Sequence, residues 1–182
     1  MKSIKYFAII CIITLLSGCT KELDLSPKNA ISDASFWKTE ADFQLAANNF
    51  YWRLDAYPRE NDADLEAGIG PNSISNGTYL PVDASSDWQR SYEGIRNTTY
   101  LIEKAENSPV KDNTQRYVGE ALFFRALEYF RLVKNFGDVP LITKVLDVGS
   151  EELLTPRTER TQVVDFILND LDNAIPLLPK QS

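Results

Sequence analysis

The residues of this chain most clearly fitted for chemistry are Leu16-Ser17-Gly18-Cys19. A cysteine preceded by small residues and an apolar run has the form of a lipobox. Cleavage before Cys19 would free an amino group beside a thiol, and acylation of both would supply the two or more chains that stable membrane attachment requires. Lys2 and Lys5 form a positive start, and Tyr6 to Leu16 is an apolar run of signal-peptide length. That run is too short to cross a bilayer, which takes about 20 apolar residues. The expected organisation is a signal peptide over 1–18, a tether from lipidated Cys19 over 19–35, and a folded domain over 36–182.

The side chains that are missing close off other chemistry. Of the two cysteines, Cys11 falls in the signal and Cys19 would be acylated, so no thiol remains for a disulfide. Histidine is absent. Serine or cysteine triads and the usual zinc sites are thereby excluded, and proton transfer near neutral pH would fall to carboxylates or lysines with shifted pKa values. No cofactor is expected. Losing the signal removes two of the 19 basic side chains and none of the 26 acidic ones, which takes the net charge from −7 to −9. Such a balance argues against nucleic acid or anionic lipid headgroups as partners, since both select basic patches.

Sugar recognition uses aromatic platforms with amide and carboxylate hydrogen bonds close by. The polar segment from Pro58 to Asp87, broken by Gly68, Gly70, Pro71, Gly77 and Pro81, holds Asn72, Asn76, Tyr79 and Asp83. A loop of this length is a place to look for binding. Solvated loop residues would have the same composition. Trp88 is a further candidate platform, although its stripe with Tyr92 and Ile95 favours a core role. A calcium loop beginning at Asp62 fails, because Ala67 stands where glycine is needed and Ser73 where the bidentate glutamate belongs. Pairs such as Asp62 with Glu66 could serve as glycosidase acid and base, but 26 acidic residues make that inference nearly empty.

These residues must be positioned by helices. Thr39-Glu40-Ala41-Asp42 opens the first as a capping-box-like start. Phe43, Ala46, Ala47, Phe50 and Leu54 then lie on one face, and the helix runs to about Ala56. A second extends from Asp87 or Trp88 to Glu106 and is stopped by Asn107-Ser108-Pro109. The third starts near Asp112, ends at Phe136 with Gly137 as its cap, and is apolar enough to be buried on most of its circumference. Its charges Glu120, Arg125, Glu128 and Arg131 are spaced for pairing within the helix. A fourth, capped by Thr158, carries Val163, Phe166, Ile167, Leu171, Ala174 and Ile175 and ends at Pro176 or soon after. The fold class is all-α, with tetratricopeptide-like antiparallel helix pairs and one long irregular loop.

The order of several blocks adds to this. Cys19 to Asp24 is followed by Ser35-Phe36-Trp37-Lys38-Thr39-Glu40-Ala41-Asp42-Phe43, by Trp88 with Tyr92 and Ile95-Arg96-Asn97, by Gly119 to Leu141, and by Pro156-Arg157 with Asp170-Leu171 and Ala174-Ile175. In this order they resemble the N-terminal part of the SusD/RagB family of nutrient-binding outer-membrane lipoproteins, and Gly119 to Leu141 is the most specific portion. The resemblance implies a helical, tetratricopeptide-like scaffold on the outer face of the outer membrane, anchored through Cys19. It would capture oligosaccharides or other nutrients and hand them to a TonB-dependent transporter without hydrolysing them. It also implies that the chain corresponds to the N-terminal piece of longer proteins. A lipid-anchored helical module that binds a polypeptide partner stays open beside this reading, with a lipid-anchored hydrolase behind both.

Overall fold

The computed structural model describes residues 33, 35–54, 76–78 and 85–180. The elements below belong to one compact unit, Trp37–Ser182. They are helix α1 (Glu40–Asn48), continued by a 3-10 turn over Asn49–Arg53; helix α2 (Ser86–Glu106); helix α3 (Gln115–Phe136), entered through a 3-10 turn at Lys111–Thr114; a further 3-10 turn at Glu151–Leu154; and helix α4 (Arg160–Ala174). No strand occurs among the described residues, and the one isolated β-bridge there joins Val139 to Thr158. The fold is all-α.

Contacting residues fix the helix directions. Trp88 meets Phe136, Gly94 lies against Glu128, and Arg125 reaches Thr99, so α2 and α3 run antiparallel. Arg125 also meets Asp170, and Gly119 lies under Leu177 just beyond α4, so α3 and α4 are antiparallel too. Helix α3 is therefore central. Toward its first half, Phe43, Ala47 and Phe50 pack with Leu101, Tyr117 and Phe124; toward its second, Tyr129 and Leu132 pack with Ile95, Val139, Val163 and Ile167.

Most helix ends follow local rules. The Asp42 carboxylate accepts from the Thr39 backbone N–H and hydroxyl, both at 2.8 Å, at the start of α1. Ser85 accepts from the Trp88 N–H at the start of α2. Gly137 ends α3 with φ of +72°, a conformation that glycine adopts without a Cβ penalty.

Four boundaries differ from expectation. Helix α1 does not run to Ala56; it tightens at Asn49 and turns extended at Leu54. With three residues per turn, a 3-10 segment stacks positions i and i+3. Phe50 and Arg53 thus share the inward side, one buried among apolar side chains and the other aimed at Glu128. Helix α3 begins at Gln115 rather than Asp112, because Lys111–Thr114 is spent on a tighter turn in which the Thr114 hydroxyl donates to the Lys111 carbonyl. Thr158 does not cap α4. Its backbone N–H and carbonyl are engaged with Val139, and the Asp138 carboxylate accepts from the Arg160 N–H at 2.9 Å instead, a cap supplied from another segment. Helix α4 itself ends at Ala174, and Leu177 and Leu178 both donate back to the Ala174 carbonyl.

Between α3 and the 3-10 turn at Glu151–Leu154 the chain crosses the helices as an irregular strap tied by side chains. The Tyr92 hydroxyl donates to Pro140 O at 2.7 Å, and the Tyr129 hydroxyl both donates to Ile142 O and accepts from Ile142 N. Glu103 accepts from Val145 N at 2.8 Å. Burial pushes both tyrosine hydroxyls well above their usual pKa of 10.0. An acid whose folded pKa is raised contributes stability that is whole below the unfolded value and is lost as pH climbs past it. Melting temperature is therefore expected to fall more steeply above about pH 10, each tyrosine adding up to about 1.4 kcal/mol per pH unit. Tyr129→Phe strands two backbone groups and is expected to cost about 1–3 kcal/mol at neutral pH while flattening the alkaline slope. Thermal melts from pH 7 to pH 11 measure both; an unchanged slope would rule the assignment out.

Candidate functional site

The strap borders a cavity among the described residues. Its volume is about 650 Å³, its inner wall is Trp88, Tyr92 and Ile95 of α2, and its outer wall is Pro140, Ile142, Leu146, Val148 and Leu153. Arg96, Lys144, Asp147 and Glu152 complete the lining. Lys144 and Glu152 form an ion pair across it, which holds Glu152 below and Lys144 above their ordinary pKa values. Two acids and two bases leave this lining with no net charge. Apolar walls with a few polar groups are the usual makeup of a small-molecule pocket.

A second, polar cavity of about 190 Å³ lies between the start of α2 and the end of α3, lined by Asp87, Arg90, Ser91, Glu128, Arg131, Lys134 and Asn135. Glu128 is fully buried, with Oε1 accepting from Arg131 at 3.1 Å and from Arg53 at 3.5 Å. Arg53 also donates to Arg90 O at 2.8 Å and pairs with Glu93, while Arg131 donates to Arg53 O at 2.6 Å. This network fixes the 3-10 turn that ends α1 onto α2 and α3. The expected pairing within α3 is thus half realised. Glu128 does pair with Arg131, and Glu120 with Arg116, but Arg125 turns away from its own helix to grip Asp170 of α4.

Of the five residues expected to bind ligand, Asn72, Tyr79 and Asp83 lie outside the described residues, as does Cys19. Asn76 is exposed, and its side-chain carbonyl accepts from Thr78 N at 3.0 Å and the Thr78 hydroxyl at 2.6 Å, an Asx turn closed over Gly77. Trp88 joins the cavity wall. Its ring also meets Tyr92 at 5.0 Å and Phe136 edge-on at 5.1 Å, and the Arg157 guanidinium sits over it at 5.2 Å. Asn76 is not part of that lining.

The chain has three tryptophans. Trp37 packs against Phe43 and Tyr100. Trp88 is engaged as just described. Trp52 is 86% exposed and has no ring contact among the described residues. It was not among the sequence candidates. The signal was present in its position, two residues from both Phe50 and Leu54 and so off the stripe formed by Phe43, Ala46, Ala47, Phe50 and Leu54.

Residues 23–182 match the SusD-like family model described as "Starch-binding associating with outer membrane". The chain is 30% identical over 190 residues to SusD-like protein P38 of Formosa agariphila, covering 92% of this chain and 36% of that protein. It is 24% identical to a SusD-like protein of Bacteroides ovatus, covering all of this chain and again 36% of the relative. The chain therefore spans a little over a third of the length of the curated relatives it matches. Among solved structures, a SusD-like protein of Bacteroides fragilis superposes with a TM-score of 0.69 at 25% identity, over 87% of this chain and 33% of that one. A second structure from that organism, a SusD-like carbohydrate-binding protein, shares the fold with a TM-score of 0.68 at 23% identity, over 80% and 33%. With the family model matched from residue 23 to residue 182 and the helical architecture shared with solved members, the chain belongs to the SusD-like family.

Proposed function

We propose that this protein is a surface-exposed outer-membrane lipoprotein, anchored through Cys19, that binds a glycan or other nutrient oligomer and hands it to a TonB-dependent transporter. The role is binding without catalysis. The observation that carries this reading is the match across residues 23–182 to a family described as starch-binding and associated with the outer membrane. The lipobox at Leu16 to Cys19 supports the anchor, and the solvent-facing aromatic and strap-lined cavity described above are surfaces on which a neutral oligomer could rest.

The test uses the full-length protein in two arms. In native electrophoresis through gels containing a panel of polysaccharides, soluble starch among them, migration is expected to be retarded by at least one. On intact cells, labelled palmitate is expected to enter the wild type but not Cys19→Ala, with the wild type digested by added protease. No retardation on any polysaccharide, together with capture of a soluble protein partner, would instead favour a helical interaction module. Protease resistance on intact cells would remove surface exposure.

A further inference from the structure

We propose that Trp52 is an open stacking platform for a neutral pyranose chain, an inference that rests on the glycan-binding reading above. Large aromatic side chains bury more apolar area than any others, and one left in solvent is informative where its neighbours had the option of packing. Here the contrast is internal to the molecule. The indoles of Trp37 and Trp88 are each in contact with two further rings, and that of Trp88 also lies under a guanidinium. Trp52 has no such partner among the described residues.

Its exposure is a product of the turn that carries it. In the 3-10 segment Asn49–Arg53, Phe50 and Arg53 occupy the inward side. Tyr51 leans edge-on against Phe124 at 5.1 Å. The remaining direction belongs to Trp52 and points to solvent. The turn is held firmly, by Arg53 donating to Arg90 O and pairing with Glu93, and by Arg131 donating to Arg53 O. The indole is thus presented on a fixed base, which lowers the ordering cost of binding.

A flat π face open to water matches the C–H face of a pyranose ring, and that contact requires no charge on the sugar. The ligand class is therefore a neutral oligo- or polysaccharide, gripped along its length on an open surface.

The experiment compares full-length wild type, Trp52→Ala, Trp52→Phe and Leu168→Ala by affinity electrophoresis on soluble starch and a panel of other neutral polysaccharides. On the polysaccharide that retards the wild type, Trp52→Ala is expected to weaken binding about tenfold or more, with an unchanged melting temperature, and Trp52→Phe to recover part of it. Leu168→Ala, an exposed apolar residue of α4 outside the cavity lining, is expected to stay within about twofold of wild type. Equal retardation of wild type and Trp52→Ala would overturn the platform while leaving the glycan reading intact. So would a Trp52→Ala protein that binds glycan normally but no longer co-purifies with a membrane partner, since the ring would then belong to a protein interface. A wild type retarded by nothing would overturn both readings.

Discussion

Replacing Arg125 with alanine is expected to destabilise the protein by about 3–5 kcal/mol, because it strands a buried carboxylate. The guanidinium grips Asp170 at both oxygens, at 2.7 and 2.8 Å, and donates to the Thr99 hydroxyl at 3.4 Å. Its flat face also lies 5.1 Å from the centre of the Phe166 ring. The two side chains are only 9% and 2% exposed, so water cannot replace the lost partner. One residue of α3 thereby contacts both α2 and α4. Thermal unfolding of Arg125→Ala is expected to drop by on the order of 10 °C for a chain of this size. Asp170→Ala is expected to behave alike, whereas Arg125→Met with Asp170→Leu, which removes both charges and keeps volume, recovers most of the loss. A loss below about 1 kcal/mol in Arg125→Ala would mean that the pair is solvated, as exposed ion pairs are.

Gly94→Ala is the second large effect. Alanine is the better helix former by about 1 kcal/mol, so on an open helix face the change would stabilise. Here a Cβ on residue 94 would lie 2.8 Å from Glu128 Cγ and 3.0 Å from its Cδ and Oε1. Glu128 cannot yield, because it is fully buried and its Oε1 is held by Arg53 and Arg131. Gly94→Ala is therefore expected to cost about 1–3 kcal/mol through overpacking. The discriminating measurement is a double-mutant cycle. Glu128→Ala alone is expected to be strongly destabilising, leaving two partly buried guanidinium groups short of an acceptor. In that background Gly94→Ala is expected to be neutral or stabilising, because the clash is gone and only helix propensity remains. Purely additive losses would show that the glycine is not there to admit the carboxylate.

Both effects involve a buried charge of α3, Arg125 or Glu128, and the sequence of that helix announces its burial but not what its charges do. Glu120, Arg125, Glu128 and Arg131 have the spacing of an intrahelical ladder, and two pairs of that kind form, Arg116 with Glu120 and Arg131 with Glu128. Spacing reports which side chains could meet on one helix surface. It carries no information on whether a competing partner on a neighbouring helix lies closer and in a drier place, which is what Asp170 offers Arg125. The same limit governs Thr158, whose residue type and position suit a cap until the bridge to Val139 takes its backbone and Asp138 takes over.

The tryptophans illustrate the other side. Placing Trp88 on the stripe with Tyr92 and Ile95 correctly foretold packing against the second core cluster. The same stripe logic, applied to α1, would have left Trp52 off the buried face. The 3-10 turn that starts at Asn49 then carries it outward, while Arg53 at the end of the same turn meets Glu128, 75 residues away in the chain.

What the sequence by itself determined was local or cumulative: the all-α class, the placement of α2 and α3 to within a few residues, the glycine that ends α3, and the family, which several blocks in order identify. Hydrophobic period and cap chemistry act over three or four residues, so they can be read without knowing the neighbours. The tertiary structure alone decided where the buried charges pair, why position 94 needs glycine, which tryptophan is left bare, and that a strap bound by Tyr92, Tyr129 and Glu103 borders a cavity. These depend on the distance between segments far apart in the chain, and such distances are set only when the helices have packed.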